Sequence, residues 1–319
     1  MIGSRPRSDD WLFRVGTGIF AVLVIGVVSA IALELYRESR LSLHEFGWRF
    51  WQTDVWDPVA GEFGARPFIW GTLYSSVLAL LIATPIALGI AVCISELAPR
   101  PLQRPLVFLT ELLAAIPSIV YGLWGIFVLV PLVRQLEVHT PDWLRALPLF
   151  KGPPVGVGML SAAIILSIMV IPFTSSIARE VLRAVPQSQR EGAYALGATR
   201  WEAIRMALFY ARTGIIGAVM LGFGRALGET MAVTMVIGNT PQISLSLFAP
   251  QYTMAAVIAN EFAEAAADLY LHALVEIGLV LFVITLVINV ISRAFIWSLG
   301  RPARPRRTRP AAAPALESA

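Results

Sequence analysis

Residues 213–238 read TGIIGAVMLGFGRALGETMAVTMVIG, a run long and apolar enough to cross a bilayer as one helix. Two charges interrupt it, Arg225 and Glu229, four residues apart. On insertion scales a central Arg or acidic residue costs about 2.5–3.5 kcal/mol, so such groups face a partner or an aqueous path and mark a route for ions or substrate. At i and i+4 the two side chains share one helix face and can pair directly. The stretch reads as a spanning helix with a charged pair set into it, in a chain that moves something charged.

The rest of the sequence agrees. Of 319 residues, 57% are hydrophobic and 14% charged, against about 25% charged in ordinary soluble domains. Spanning segments of about 20 residues use up most of that length and leave one polytopic unit. Cys93, the one cysteine, falls in an apolar segment, which excludes a disulfide framework and a thiolate metal site. His44, His139 and His272 are scattered without metal-ligand spacing, so no metal is expected. The single lysine, Lys151, is followed by Gly-Pro-Pro, which excludes a Walker A motif, and neither GxSxG nor HExxH occurs. The chain is expected to be no enzyme and to bind no cofactor itself.

Six apolar runs are candidate spans: 15–36, 70–97, 105–133, 155–178, 213–238 and 272–297. The third carries Glu111 and the sixth Glu276. The expected organisation is an all-α polytopic protein: a tail at 1–14, a six-helix domain at 15–298 with a polar loop at about 181–212, and a basic, disordered tail at 299–319. An even number of spans puts both termini on one side. Arg5, Arg7, Arg14, Arg100, Arg104, the arginines from Arg179 to Arg212 and those from Arg293 to Arg309 all fall on that side, which the positive-inside rule makes cytoplasmic. The basic tail can lie on anionic lipid head groups or act as a plain topogenic signal. Trp48, Trp51, Trp56 and Trp70 read as interfacial aromatics around the first outer loop.

Between the fourth and fifth spans the chain reads PQSQREGAYALGATRWEAIR from Pro186. Ser188 with Glu191, and Thr199 with Glu202, have the spacing of two successive capping boxes. Gly197 lies between them, suited to the left-handed residue that ends a helix. The expected unit is a short helix, a Gly turn and a second helix leading into the fifth span. Gly224 and Gly228 form a small-xxx-small pair expected to let another helix approach. Pro117-Ser118-Ile-Val-Tyr121 can kink the third span and expose polar groups to a central path.

The pattern Glu191-Gly-Ala-x-x-x-Gly197, with Ala207, Phe209 and Tyr210 further on, resembles the EAA loop of ABC-importer permeases, departing from it at Gly192, Ala207, Phe209 and Tyr210. The strings GFGRALGETMAVT from Gly222, IGN from Ile237, ANEFAEA from Ala259 and LLAAIPSIVYG from Leu112 resemble the PstC-type permeases of phosphate importers, a likeness that runs from about Phe46 to Trp297. The resemblance implies a type I ABC importer permease in the bacterial inner membrane. It implies as partners a homologous second permease, two copies of an ATPase that holds ATP and magnesium, an extracytoplasmic phosphate-binding protein and membrane lipids, with no nucleic acid. It places Ala198, Thr199, Arg200 and Trp201 near the ATPase, with Glu191 and Gly197 as the anchors of the loop.

The residue chemistry suits a phosphate. Arg presents a fixed fork of donors to phosphate oxygens and stays charged in a poorly hydrated setting. Arg225, Glu229 and Ser118 are the expected pathway residues, with Glu111 and Glu276 as weaker candidates, and Glu229 is expected to hold Arg225 at rest so that phosphate passes rather than sticks. A structural ion pair that orients the fifth span is the plainer reading. Three other functions remain open at this point: a permease for sulfate or molybdate, a proton-coupled carrier relaying through Glu111, Glu229 and Glu276, and a receptor-like scaffold with an interaction loop.

Overall fold

The computed structural model describes residues 8–299, so the expected tail at 299–319 lies almost wholly outside it. Six helices are long and apolar enough to cross a membrane: Phe13–Glu38, Arg66–Leu97, Ser118–Val138, Met159–Arg183, Arg200–Leu227 and Asp268–Ser298. The first lies within α1 (Ser8–Glu38), which also takes in residues 8–14 of the expected N-terminal tail. A short α2 (Arg40–Phe46) and a two-stranded ribbon, β1 (Trp56–Asp57) against β2 (Glu62–Phe63), lead into α3 (Arg66–Val92), which ends in a π-turn at Cys93–Leu97.

The third expected span is displaced. Residues 105–133 do not form one helix: α4 (Arg100–Ala115) stops, Ile116 and Pro117 are extended, and a new helix starts at Ser118. Pro117 explains this, because its ring disfavours helical geometry at the preceding residue and it has no N–H to continue the ladder. The Tyr121 hydroxyl donates to Leu113 O at 2.8 Å across the break. The spanning helix runs as α5 (Ser118–Trp124), a π-turn, and α6 (Val130–Val138). Glu111 therefore sits on α4, outside every span.

After a single turn, α7 (Asp142–Arg145), comes α8 (Met159–Arg183), the most buried of the six spans. It is flanked by α3 and by α10 (Arg200–Leu227), with α9 (Gln187–Ala195) between α8 and α10 in sequence. Small residues set these contacts. On α3 the buried face is Thr72, Ser76, Ala79, Ala83, Ala87 and Ala91. On α10 the face towards α8 carries Gly214, Ala218 and Gly222, four apart, where a methyl group at Gly214 would overlap Val181 and one at Gly222 the Thr174 hydroxyl of α8. Lipid gives no hydrophobic drive for helix association, so close backbone approach through small residues carries the packing. The expected pair Gly224 and Gly228 packs against no helix of this chain among the described residues: neither glycine has another helix within reach of an added methyl. The stripe is offset by two positions, onto the face that α8 occupies.

The fifth span is displaced too. It begins at Arg200 and ends at Leu227 rather than filling 213–238. Gly228–Thr230 breaks it, and a separate α11 (Met231–Val236) follows. An extended segment then crosses the loop-rich end of the bundle to α12 (Met254–Glu261) and α13 (Asp268–Leu299). The four tryptophans lie at that end: Trp51, Trp56 and Trp70 are partly buried in its wall, and Trp48 is 73% exposed. Trp56 packs edge-on to Phe63 and Phe68, both at 4.9 Å, and donates to Glu261 at 2.8 Å. Trp70 donates to Ser244 O at 3.0 Å, and Trp48 stacks on Trp51. Indole rings with a partner for the N–H pack well in such a wall.

Candidate functional site

The broken fifth span decides the geometry at Arg225. Its side chain leaves the last turn of α10 into the open, with the guanidinium 5.6 Å from the centre of the Phe173 ring on α8, within cation–π range. Arg225 and Glu229 do not share a helix face, because the helix ends between them, and they form no ion pair among the described residues. Glu229 instead turns towards α11, where a carboxyl oxygen accepts from Ala232 N–H at 3.4 Å. A carboxylate before a helix start satisfies a free amide and offers the backbone an alternative to continuing the previous helix. Gly228, a weak helix former, adds to the stop. The pairing expected from i,i+4 spacing is thus replaced by a cap, and Arg225 is left uncommitted.

Ser118, half-buried, stands at the start of α5, which packs against α11. The helix break at Pro117 and the one at Gly228–Thr230 therefore lie on neighbouring elements. Irregular backbone at membrane depth is tolerated only where it is buried in protein or lines a water-filled cavity.

The structure separates the remaining carboxylates from Arg225. Glu111 is 60% exposed and lies 3.7 Å from Arg179 Nη2. Glu276 is fully buried in the wall between α13 and α2, facing the Ser42 hydroxyl just outside hydrogen-bonding geometry, and neither of its oxygens has a partner among the described residues. Glu111, Glu229 and Glu276 thus sit on three different contacts, with no hydrogen-bonded relay joining them among the described residues.

The polar loop folds largely as its residues dictate. Thr199 Oγ1 and Glu202 form a complete capping box at the start of α10. The other box does not form. Pro186 is the cap residue of α9, so Ser188 falls inside the first turn and makes no side-chain cap, and Glu191 is exposed. Gly197 has φ +80°, and the bonds Gly197 N to Tyr194 O at 2.9 Å and Ala198 N to Ala193 O at 3.1 Å complete a Schellman motif. At Tyr210, where the sequence departs from the EAA pattern, α10 runs on without interruption.

One contact had no signal in the sequence. Arg190 Nη2 binds Glu96 Oε1 at 2.7 Å, with both side chains mostly buried. The same guanidinium donates to Val185 O at 2.7 Å and Leu182 O at 2.9 Å. Arg200 reaches Glu96 O at 2.6 Å, so it ties the loop inward. α9 and the start of α10 are thereby clamped to the end of α3, while Leu196 (90% exposed), Trp201 (65%) and Tyr194 (51%) project outward.

The profile of the family described as binding-protein-dependent transport system inner membrane component matches residues 83–301. The chain belongs to that family. This permease is also 48% identical over 295 residues to the phosphate transport system permease protein PstC of Mesorhizobium japonicum, covering 91% of this chain and 90% of the relative. It is 47% identical to the PstC protein of Haemophilus influenzae (89% and 92% covered) and 40% identical to the probable PstC protein of Methanocaldococcus jannaschii (85% and 89% covered). Its fold matches a chain of the MetNI methionine ABC transporter, solved in inward-facing conformations, with a TM-score of 0.55 at 17% identity over 73% of this chain and 94% of that one. The permease is thus an all-α, multi-pass membrane protein of ABC-importer architecture.

Proposed function

We propose that the chain is the transmembrane subunit of an ATP-driven importer of inorganic phosphate and forms half of its pathway. The observation that carries this is Arg225: exposed, unpaired with any carboxylate among the described residues, and set beside two helix breaks. In lipid such a surface would be expensive, so it faces water or a second subunit. A homologous permease closing over it would enclose a path in which Arg225 offers its donors to a passing oxyanion, with Ser118 nearby. Glu229 acts by holding the start of α11 in place, and Glu111 and Glu276 are peripheral to the path. The names of the relatives support phosphate over sulfate or molybdate.

The chain carries no ATPase motif, so ATP and magnesium belong to a partner subunit, and the outward face of Tyr194, Leu196 and Trp201 is where it docks, beside Ala198 and Thr199. The clamp from Arg190 and Arg200 to Glu96 then passes its movement into α3. The outer segments 135–154 and 239–270 are the surface offered to a binding protein. The arginine distribution supports an orientation with both termini in the cytoplasm, in a bacterial inner membrane. The test is Arg225→Ala in the assembled transporter: labelled phosphate uptake is lost while assembly and ATP hydrolysis persist, and normal uptake by a correctly inserted variant would reject the pathway role.

A further inference from the structure

At the end of the bundle that carries α9, a cavity of about 840 Å³ opens between α4 and the end of α8. Arg100 and Arg104 enter it from α4 and Arg183 from the last turn of α8, with Phe108 in the wall and Glu111 at the rim. The three arginine side chains have no hydrogen-bond or ion-pair partner among the described residues. Behind Glu111 lies Arg179, only 7% exposed. Its Nη2 meets Glu180 at 2.8 Å and Glu111 at 3.7 Å, but Nε and Nη1 are buried donors with no partner. Two carboxylates stand against four guanidinium groups, so the site keeps an excess of positive charge.

The chemistry selects a compact oxyanion, because guanidinium forks match the oxygens of a phosphate group. The setting places it at a membrane surface. α4 exposes Leu109, Leu112 and Leu113 while Arg100, Gln103 and Arg104 line the cavity, the arrangement of a helix lying in the headgroup layer. We propose that this cavity binds a phosphate-bearing anion, either the headgroup of an anionic lipid or free orthophosphate. Arg100, Arg104 and Arg183 hold the oxygens, and Arg179 charges the floor. The orthophosphate alternative rests on the proposed function; the headgroup alternative does not.

The experiment uses the purified full chain in nanodiscs, carrying Arg225→Ala so that the pathway arginine contributes nothing. One arm adds fluorescent phosphatidylglycerol to phosphatidylcholine nanodiscs, and the other adds labelled orthophosphate to phosphatidylcholine alone. Saturable binding is expected in one arm, weakened on the order of tenfold for each arginine lost in Arg104→Gln and Arg183→Gln, and unchanged in the exposed control Arg205→Gln. Binding confined to phosphatidylglycerol identifies a headgroup site, and binding of orthophosphate identifies a site for the transported ion. If neither probe distinguishes the cavity variants from the control, with thermal melting showing all of them folded, the proposal is wrong. Because Arg225 is absent throughout, failure of the pathway reading leaves this result intact.

Discussion

Replacing Arg190 with methionine removes the clamp between α9 and α3 while keeping an unbranched apolar stem in place of the arginine's. Three interactions go at once: the ion pair to Glu96 at 2.7 Å and the bonds to Val185 O and Leu182 O. Leu182 O, on the last turn of α8, and Val185 O both belong to buried residues and lose a donor, but only the carboxylate is left with an uncompensated charge, so it carries most of the loss. Glu96 is 13% exposed and keeps no cationic side-chain partner for its carboxylate among the described residues, since Arg200 binds its backbone oxygen instead. Breaking a buried pair by removing one partner costs about 3–5 kcal/mol, and with the pair at the edge of the bundle we take the lower end, about 3 kcal/mol. That corresponds to on the order of a hundredfold in the equilibrium for local opening. Amide hydrogen exchange across 187–195 should accelerate by that factor in Arg190→Met while the α8 core stays protected. In reconstituted transporter the variant should hydrolyse ATP with little phosphate uptake, because the docked loop no longer moves α3. Exchange within about threefold of wild type would refute the clamp, and fast exchange with normal uptake would refute its part in coupling.

Gly222→Ala places a methyl group against the Thr174 hydroxyl and should destabilise the α8–α10 contact by about 1–3 kcal/mol, read as a lower thermal midpoint that Thr174→Ser does not share. Gly197→Ala meets no neighbour, but the left-handed backbone costs about 1–2 kcal/mol, so association with the ATPase should weaken on the order of tenfold at unchanged melting of the bundle. Glu229→Gln retains an acceptor for Ala232 N–H and should transport, whereas Glu229→Ala loses the cap, worth about 1 kcal/mol, and should show a lower uptake rate. If the two variants behave alike, the capping role is wrong.

The parts of this chain that could be read from its residues are those governed by local rules. The number of spans follows from apolar length, the α10 start from the Thr199 and Glu202 capping pair, and the turn at Gly197 from the one residue that adopts φ +80° at little cost. Errors arose where one local signal overrode another. Pro117 outweighed the hydropathy of 105–133, and the Glu229 cap outweighed the apolar continuity of 213–238. Hydropathy sums composition over a window and is blind to a single missing N–H or a single competing acceptor.

By itself, then, the sequence determined a six-span helical membrane protein with a capped turn between spans, because bilayer thickness and the free amides of helix ends act over a few residues at a time. Only the tertiary structure decided that Arg225 stands apart from Glu229, that Arg190 grips Glu96 from 94 positions away, and that Arg100, Arg104 and Arg183 meet around one cavity. Those contacts depend on which helix faces α8 presents to α3, α4 and α10, and that choice is made by close packing of small residues between helices, at separations no local pattern records.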